Sequence, residues 1–151
     1  MAVSRRSFLA SSAGLGIALV APSQRAWPQS RLTSNPFTLG VASGYPSADG
    51  VVLWTRLAPD PLAGGRMPAQ PFPISWEMSR DESFGQVVQR GTAHATPQWA
   101  HSVHVEVKGL EPARWYWYRF RAGDAASPVG RTRTAPAPGA AAERMRFAFA
   151  S

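Results

Sequence analysis

The chain has 151 residues, 16 Lys+Arg against 9 Asp+Glu for a net charge of +7, and 44% hydrophobic residues. With 14 Pro, 13 Gly and no Cys, it is punctuated by turns. That composition excludes a coiled coil, a helical bundle, a multi-span membrane protein, a disulfide scaffold, a zinc finger and a thiol nucleophile. All cations but Lys108 are arginine, spread from Arg5 to Arg146 with no run longer than two. Scattered arginine reads as solvated surface. A nucleic-acid footprint clusters on one face, so no nucleic-acid partner is expected.

Residues 1–30 read as an export address followed by a linker. Ser4, Arg5, Arg6, Phe8 and Leu9 form a twin-arginine motif. The apolar stretch from Phe8 to Ala21 falls short of the roughly 20 residues that cross a bilayer. Ser11, Ser12, Gly14 and Gly16 dilute it further. A twin-arginine pair before a weak apolar core predicts Tat export to the periplasm or the exterior, with the Tat translocon as partner and no stable membrane span. Cleavage is expected near Ala21-Pro22-Ser23.

Short strands then recur between turn signals over residues 37–134. Phe37, Leu39 and Val41 alternate, and a turn cluster runs from Ser43 to Gly50. Val51 to Leu57 is β-branched and aromatic. Beyond the Pro-rich loop from Ala58 to Pro73, Ile74, Trp76 and Met78 alternate with polar residues. Phe84 to Ala93 holds a weaker strand around Val87-Val88. Val103, Val105 and Val107 give the clearest period-2 run, followed by Trp115–Ala122 and Val129–Thr134. About seven such strands predict an all-β immunoglobulin- or fibronectin III-like sandwich. The five prolines of the 58–73 loop make it either an insertion or a surface that meets a partner.

Gly109-Leu110-Glu111-Pro112 leads into Tyr116. This resembles the turn before strand F of fibronectin III domains, where a tyrosine hydroxyl bonds back to the upstream backbone. Tyr116 is the expected tyrosine corner. Period 2 then turns Tyr116, Tyr118 and Phe120 inward and Trp115, Trp117, Arg119 and Arg121 outward. Two outward tryptophans point to a domain interface. The plainer reading is that Arg119 and Arg121 stack on them as surface cover. His101 and His104, three apart on a strand, face opposite ways and cannot share an ion. No nucleophile elbow or phosphate-binding glycine loop occurs, so no catalytic or metal-ligating residue is assigned.

Residues 135–144 form an Ala/Pro linker, and 145–151 resume as an apolar strand, read as the first strand of a further domain. The chain is similar to the N-terminal region of PhoD-like alkaline phosphatases/phosphodiesterases. The resemblance rests on the twin-arginine motif and on Phe37–Gly44 with Pro46 and Val51–Leu57. It continues through Trp76-Glu77, Asp81–Phe84, Ala100–Val105, Gly109-Leu110 with Pro112, Trp115–Phe120, Ser127–Thr134 and Arg146–Ser151. Tyr45 stands where the family usually has Asp.

The resemblance implies hydrolysis of phosphate mono- and diesters at an iron–calcium cluster in a C-terminal domain. Its first metal ligand would be a Cys directly after the segment matched by Phe149-Ala150-Ser151. On this reading the chain holds no cofactor, and its partner is that C-terminal phosphatase domain, covalently attached and missing here. The fragment is expected to be inactive alone. The alternative is an independent secreted module binding a glycan or protein through Trp54, Trp76, Trp99, Trp115 and Trp117.

Overall fold

A computed structural model describes residue 32 and residues 34–141. The export motif (Ser4, Arg5, Arg6, Phe8, Leu9) and the 145–151 run lie outside the described residues. Eight strands are formed in chain order: β1 Val41–Gly44, β2 Val51–Arg56, β3 Phe72–Ser79, β4 Val87–Ala95, β5 Ser102–Val107, β6 Trp115–Ala122, β7 Ala125–Ala126 and β8 Gly130–Arg133. One sheet has the order β1-β2-β5; the other runs β4-β3-β6, with β7 and β8 both paired to the far side of β6. All pairings are antiparallel. Three strands facing five, with the last strand returning beside β6, is a fibronectin III-like sandwich.

The alternation read from the sequence is what closes the two sheets. Val51 and Leu53 of β2 and Val103, Val105 and Val107 of β5 are buried from one side. Ile74 and Met78 of β3 and Tyr116, Tyr118, Phe120 and Ala122 of β6 are buried from the other. Phe37, Leu57, Phe72 and Leu110 seal the ends of this core. Tyr118 and Phe120 meet edge to face, with ring centroids 6.4 Å apart. Burial pushes the Tyr118 phenol above its ordinary pKa, partly offset by a hydrogen bond with the Ser43 side chain.

Three expectations need correction. Phe37 to Val41 is not one strand. Gly40 takes φ of 70°, and Thr38 and Leu39 turn, so Phe37 is buried while Leu39 is 43% exposed. β1 starts at Val41 and extends through Ser43 to Gly44, which the sequence placed in the turn. β4, expected within Phe84–Ala93, runs instead from Val87 to Ala95. Gly91 at its middle leaves room for the Trp76 indole, which an added β-carbon there would meet at 2.8 Å.

Candidate functional site

The outward side of β6 carries Trp115, Trp117, Arg119 and Arg121. Register extends this face across three neighbours. Trp115 pairs with Arg133 and Trp117 with Arg131 on β8. Arg119 pairs with Glu77 and Arg121 with Ser75 on β3, and Glu77 pairs in turn with Arg90 on β4. One sheet face thus gathers arginines that are up to 43 positions apart in sequence (133 − 90).

Trp115 is 44% exposed and Trp117 half-buried. The Arg131 guanidinium stands 4.4 Å from the centre of the Trp115 ring and that of Arg133 5.6 Å. These residues cover Trp115, rather than Arg119 and Arg121 as the sequence suggested. Diagonal cross-strand neighbours reach each other on a pleated face, and β8 alternates Gly130-Arg131-Thr132-Arg133 to supply them. Arg119 is occupied elsewhere. It lies 3.9 Å above the Phe84 ring, and its Nε and Nη2 donate to Glu77 Oε2 at 3.0 and 2.7 Å. Among the described residues, Arg90, Arg121, Arg131 and Arg133 form no ion pair.

The turn before β6 fixes where this face ends. The Glu111 N–H donates to the Tyr116 hydroxyl at 2.9 Å. The Thr134 hydroxyl donates to the Glu111 carbonyl at 2.6 Å and accepts from the Arg114 N–H at 3.0 Å. Arg80 and Arg114 both pair with the Glu111 carboxylate. The hydrogen bond from Arg114, ahead of the charges of Arg114 and Arg80, holds that carboxyl below its ordinary pKa. The chain then leaves the sandwich at Ala135. Its N–H donates to Ser47 O at 2.9 Å, and its carbonyl accepts from Ala113 N–H at 2.9 Å. The exit therefore lies beside Trp115 and Arg133, at the β1–β2 loop that carries Tyr45. Tyr45 is 89% exposed with φ of 49°.

The Pro-rich loop occupies the opposite end. Phe72, where it enters β3, lies beyond the Ser75↔Arg121 pair, whereas Trp115 lies beyond Ser79↔Trp117. The loop cannot share a contact with Trp115. It is ordered by its own bonds: Asp60 accepts from the Ala63 N–H and pairs with Arg66, and Gly65 bridges back to Asp60. His101 precedes β5 rather than lying on it. Ala100 and His101 take φ of 49° and 58°, and the His101 ring nitrogen reaches Gln70 O at 3.2 Å. Arg56 Nε donates to Ala100 O at 3.0 Å and the Leu57 N–H to His101 O at 3.1 Å, which offsets the backbone strain. A cleft of about 280 Å³ opens there between Gly65, Met67, Pro97 and His101. His104, by contrast, is exposed on the outer side of β5.

The five tryptophans do not form one platform. Trp54 is on the β1-β2-β5 sheet, Trp76 packs on the core, Trp99 stands 76% exposed in the β4–β5 loop, and only Trp115 and Trp117 share a face. Among the described residues no group of three or more His, Asp or Glu could hold a metal ion. The side chains of the described residues do not fit an iron–calcium centre.

Residues 21–136 match the family described as PhoD-like phosphatase, N-terminal domain. The chain belongs to this family. It is 61% identical over 119 residues to Alkaline phosphatase D of Bacillus subtilis (strain 168), covering 79% of this chain and 20% of that protein. The solved structure titled "Structure of PhoD" superposes with a TM-score of 0.72 at 61% identity, covering 73% of this chain and 21% of that one. A fibronectin type III domain derived from human KIAA0970 protein aligns at a TM-score of 0.49 and 17% identity, over 74% of this chain and 82% of its own. The chain spans about a fifth of the length of its PhoD relatives. It corresponds to their N-terminal domain, and the catalytic portion is not covered.

Proposed function

We propose that this domain is the docking module of an exported PhoD-like phosphatase that hydrolyses phosphate mono- and diesters. Trp115 and Trp117 form its contact with the catalytic portion, and Tyr116 is the corner residue that holds the start of β6 in place. The observation that carries the reading is the exit of the chain at Ala135, beside Trp115. Polypeptide that follows is delivered to the end of the sheet where the two tryptophans stand, not to the Pro-rich end. Any iron and calcium belong to the catalytic portion, and no step of the hydrolysis is assigned to residues of this domain. Ser4, Arg5, Arg6, Phe8 and Leu9 support export through the Tat translocon to the periplasm or beyond.

The test uses the full-length protein. Burying one large aromatic is worth roughly 2–3 kcal/mol. Trp115→Ala with Trp117→Ala should therefore lower its stability and speed proteolysis within residues 135–141. Unchanged linker protection in that variant would remove the docking role. Export is tested separately. A reporter behind residues 1–30 should stay in the cytoplasm when Arg5 and Arg6 are both Lys, and its continued export would refute the Tat reading.

A further inference from the structure

We infer that the surface covering the Trp115 face is acidic, a cluster of carboxylates on the catalytic portion that engages Arg131 and Arg133 and extends toward Arg121. The inference rests on the docking role proposed above for Trp115 and Trp117. Its basis is the stacking geometry. Arg131 and Arg133 lie over the Trp115 ring, so nothing can cover that indole without covering the guanidinium groups as well. Among the described residues neither has a carboxylate within ion-pair distance. Arg133 Nε donates to the Ala113 carbonyl at 3.3 Å.

Removing an uncompensated guanidinium from water costs more than burial of the indole returns. An apolar partner surface would therefore be repelled by the residues that flank the tryptophans. A carboxylate surface would be drawn in. Guanidinium is weakly hydrated, and a stacked, planar guanidinium keeps its N–H edge free for two-pronged bonding to carboxylate. The cross-strand register lines the groups up for such a partner. Arg133, Arg131 and Arg121 follow one another along the β6–β8 ribbon, and Glu77 already satisfies Arg119. The occupant is the chain's own downstream portion because the exit at Ala135 lies at this edge and the PhoD relatives are about five times as long as this match.

The experiment follows proteolytic cleavage within residues 135–141 of the full-length protein. Raising NaCl from about 0.05 to 0.5 M shortens electrostatic reach to a few ångströms. Cleavage of the unaltered protein should accelerate severalfold over that range. Arg131→Gln with Arg133→Gln should accelerate cleavage at least tenfold at low salt and abolish most of the salt dependence. Arg131→Lys with Arg133→Lys should keep the salt dependence, which a merely folded-state defect would not. If the tryptophan double variant accelerates cleavage but the Gln variant and salt do not, the partner surface is apolar. The docking role then stands and this inference falls. If neither set of variants alters cleavage, the face is uncovered and both fall. If the Gln variant leaves the linker protected but loses retention on immobilised polyphosphate, the face serves a free phosphate polymer, and the inference is overturned.

Discussion

The Tyr118 ring lies directly across Gly130: a β-carbon on Gly130 would stand 2.3 Å from Cζ and 2.6 Å from the hydroxyl oxygen. Tyr118 is buried between the sheets and cannot swing away. Gly130 opens β8, so this contact sets how closely the arginine-bearing strand approaches β6. Gly130→Ala should destabilise the domain by about 1–3 kcal/mol through overpacking. Gly44→Ala, where nothing lies within 4 Å, is the control and should stay within about 0.5 kcal/mol. Urea unfolding of the two variants checks the difference.

Tyr116→Phe should cost about 1–2 kcal/mol, because it leaves the Glu111 N–H without its 2.9 Å acceptor while the ring remains. The loss should appear in the unfolding midpoint with little change in the denaturant slope. A neutral result would mean that Thr134 and the Arg80–Glu111–Arg114 cluster hold the turn unaided.

Tyr45 occupies the left-handed region, where a bulky residue is strained and Asn, Asp or Gly is at ease. It is 89% exposed, so its ring contributes almost no packing to the domain. Tyr45→Asn and Tyr45→Gly should each stabilise by roughly 0.5–1 kcal/mol. Differential scanning calorimetry would register a rise in Tm. A fall would show that the ring makes a contact in the intact molecule.

Asp81 organises the β3–β4 loop. The Ser83 hydroxyl is the largest influence on its carboxyl, joined by the Gly85 and Gln86 N–H groups and the Ser79 hydroxyl. Together they hold it well below the usual carboxylate range. Its folded pKa lies below the unfolded value of about 3.9, so its contribution is complete above that pH. The contribution then drains away as pH falls through the folded pKa. Asp81→Asn should lower Tm at neutral pH and flatten its decline between about pH 4 and 2. An unchanged acid limb would assign that decline to other carboxylates.

The sandwich was readable wherever the inner residues are large. Val103, Val105 and Val107 alternate against polar neighbours and are buried. Trp115 to Ala122 shows the same period, with its outer positions correctly separated from its inner ones. β4 is hard to read because its inward position Gly91 leaves its volume to the Trp76 indole on β3. A strand whose apolar half is supplied by its neighbour carries little periodicity of its own. β1 departs from the sequence pattern because one left-handed glycine, Gly40, resets the alternation after Phe37.

The basic face was the larger omission. Arg90, Arg119, Arg121, Arg131 and Arg133 look scattered along the chain, and only the register of β4, β3, β6 and β8 brings them together. Charge clustering on a sheet is a property of strand pairing, which a count along one dimension does not contain. The Gly-Arg-Thr-Arg alternation of β8 was the available signal, since period 2 turns both arginines to the side of Trp115.

The pinning of Ala135 has a mechanical consequence. Among the described residues β8 pairs only with β6, and tension arriving from the downstream chain enters the domain through this strand. The two backbone bonds at Ala135 carry the load first. The short ladder from Trp115↔Arg133 to Tyr118↔Gly130 follows. The seat of Tyr118 over Gly130 makes the last step of that rupture a side-chain release rather than a simple unzipping. Single-molecule pulling through the C-terminal end should therefore detach β8 as a discrete first event. A single all-or-none extension would mean that the sandwich shares the force evenly between its sheets.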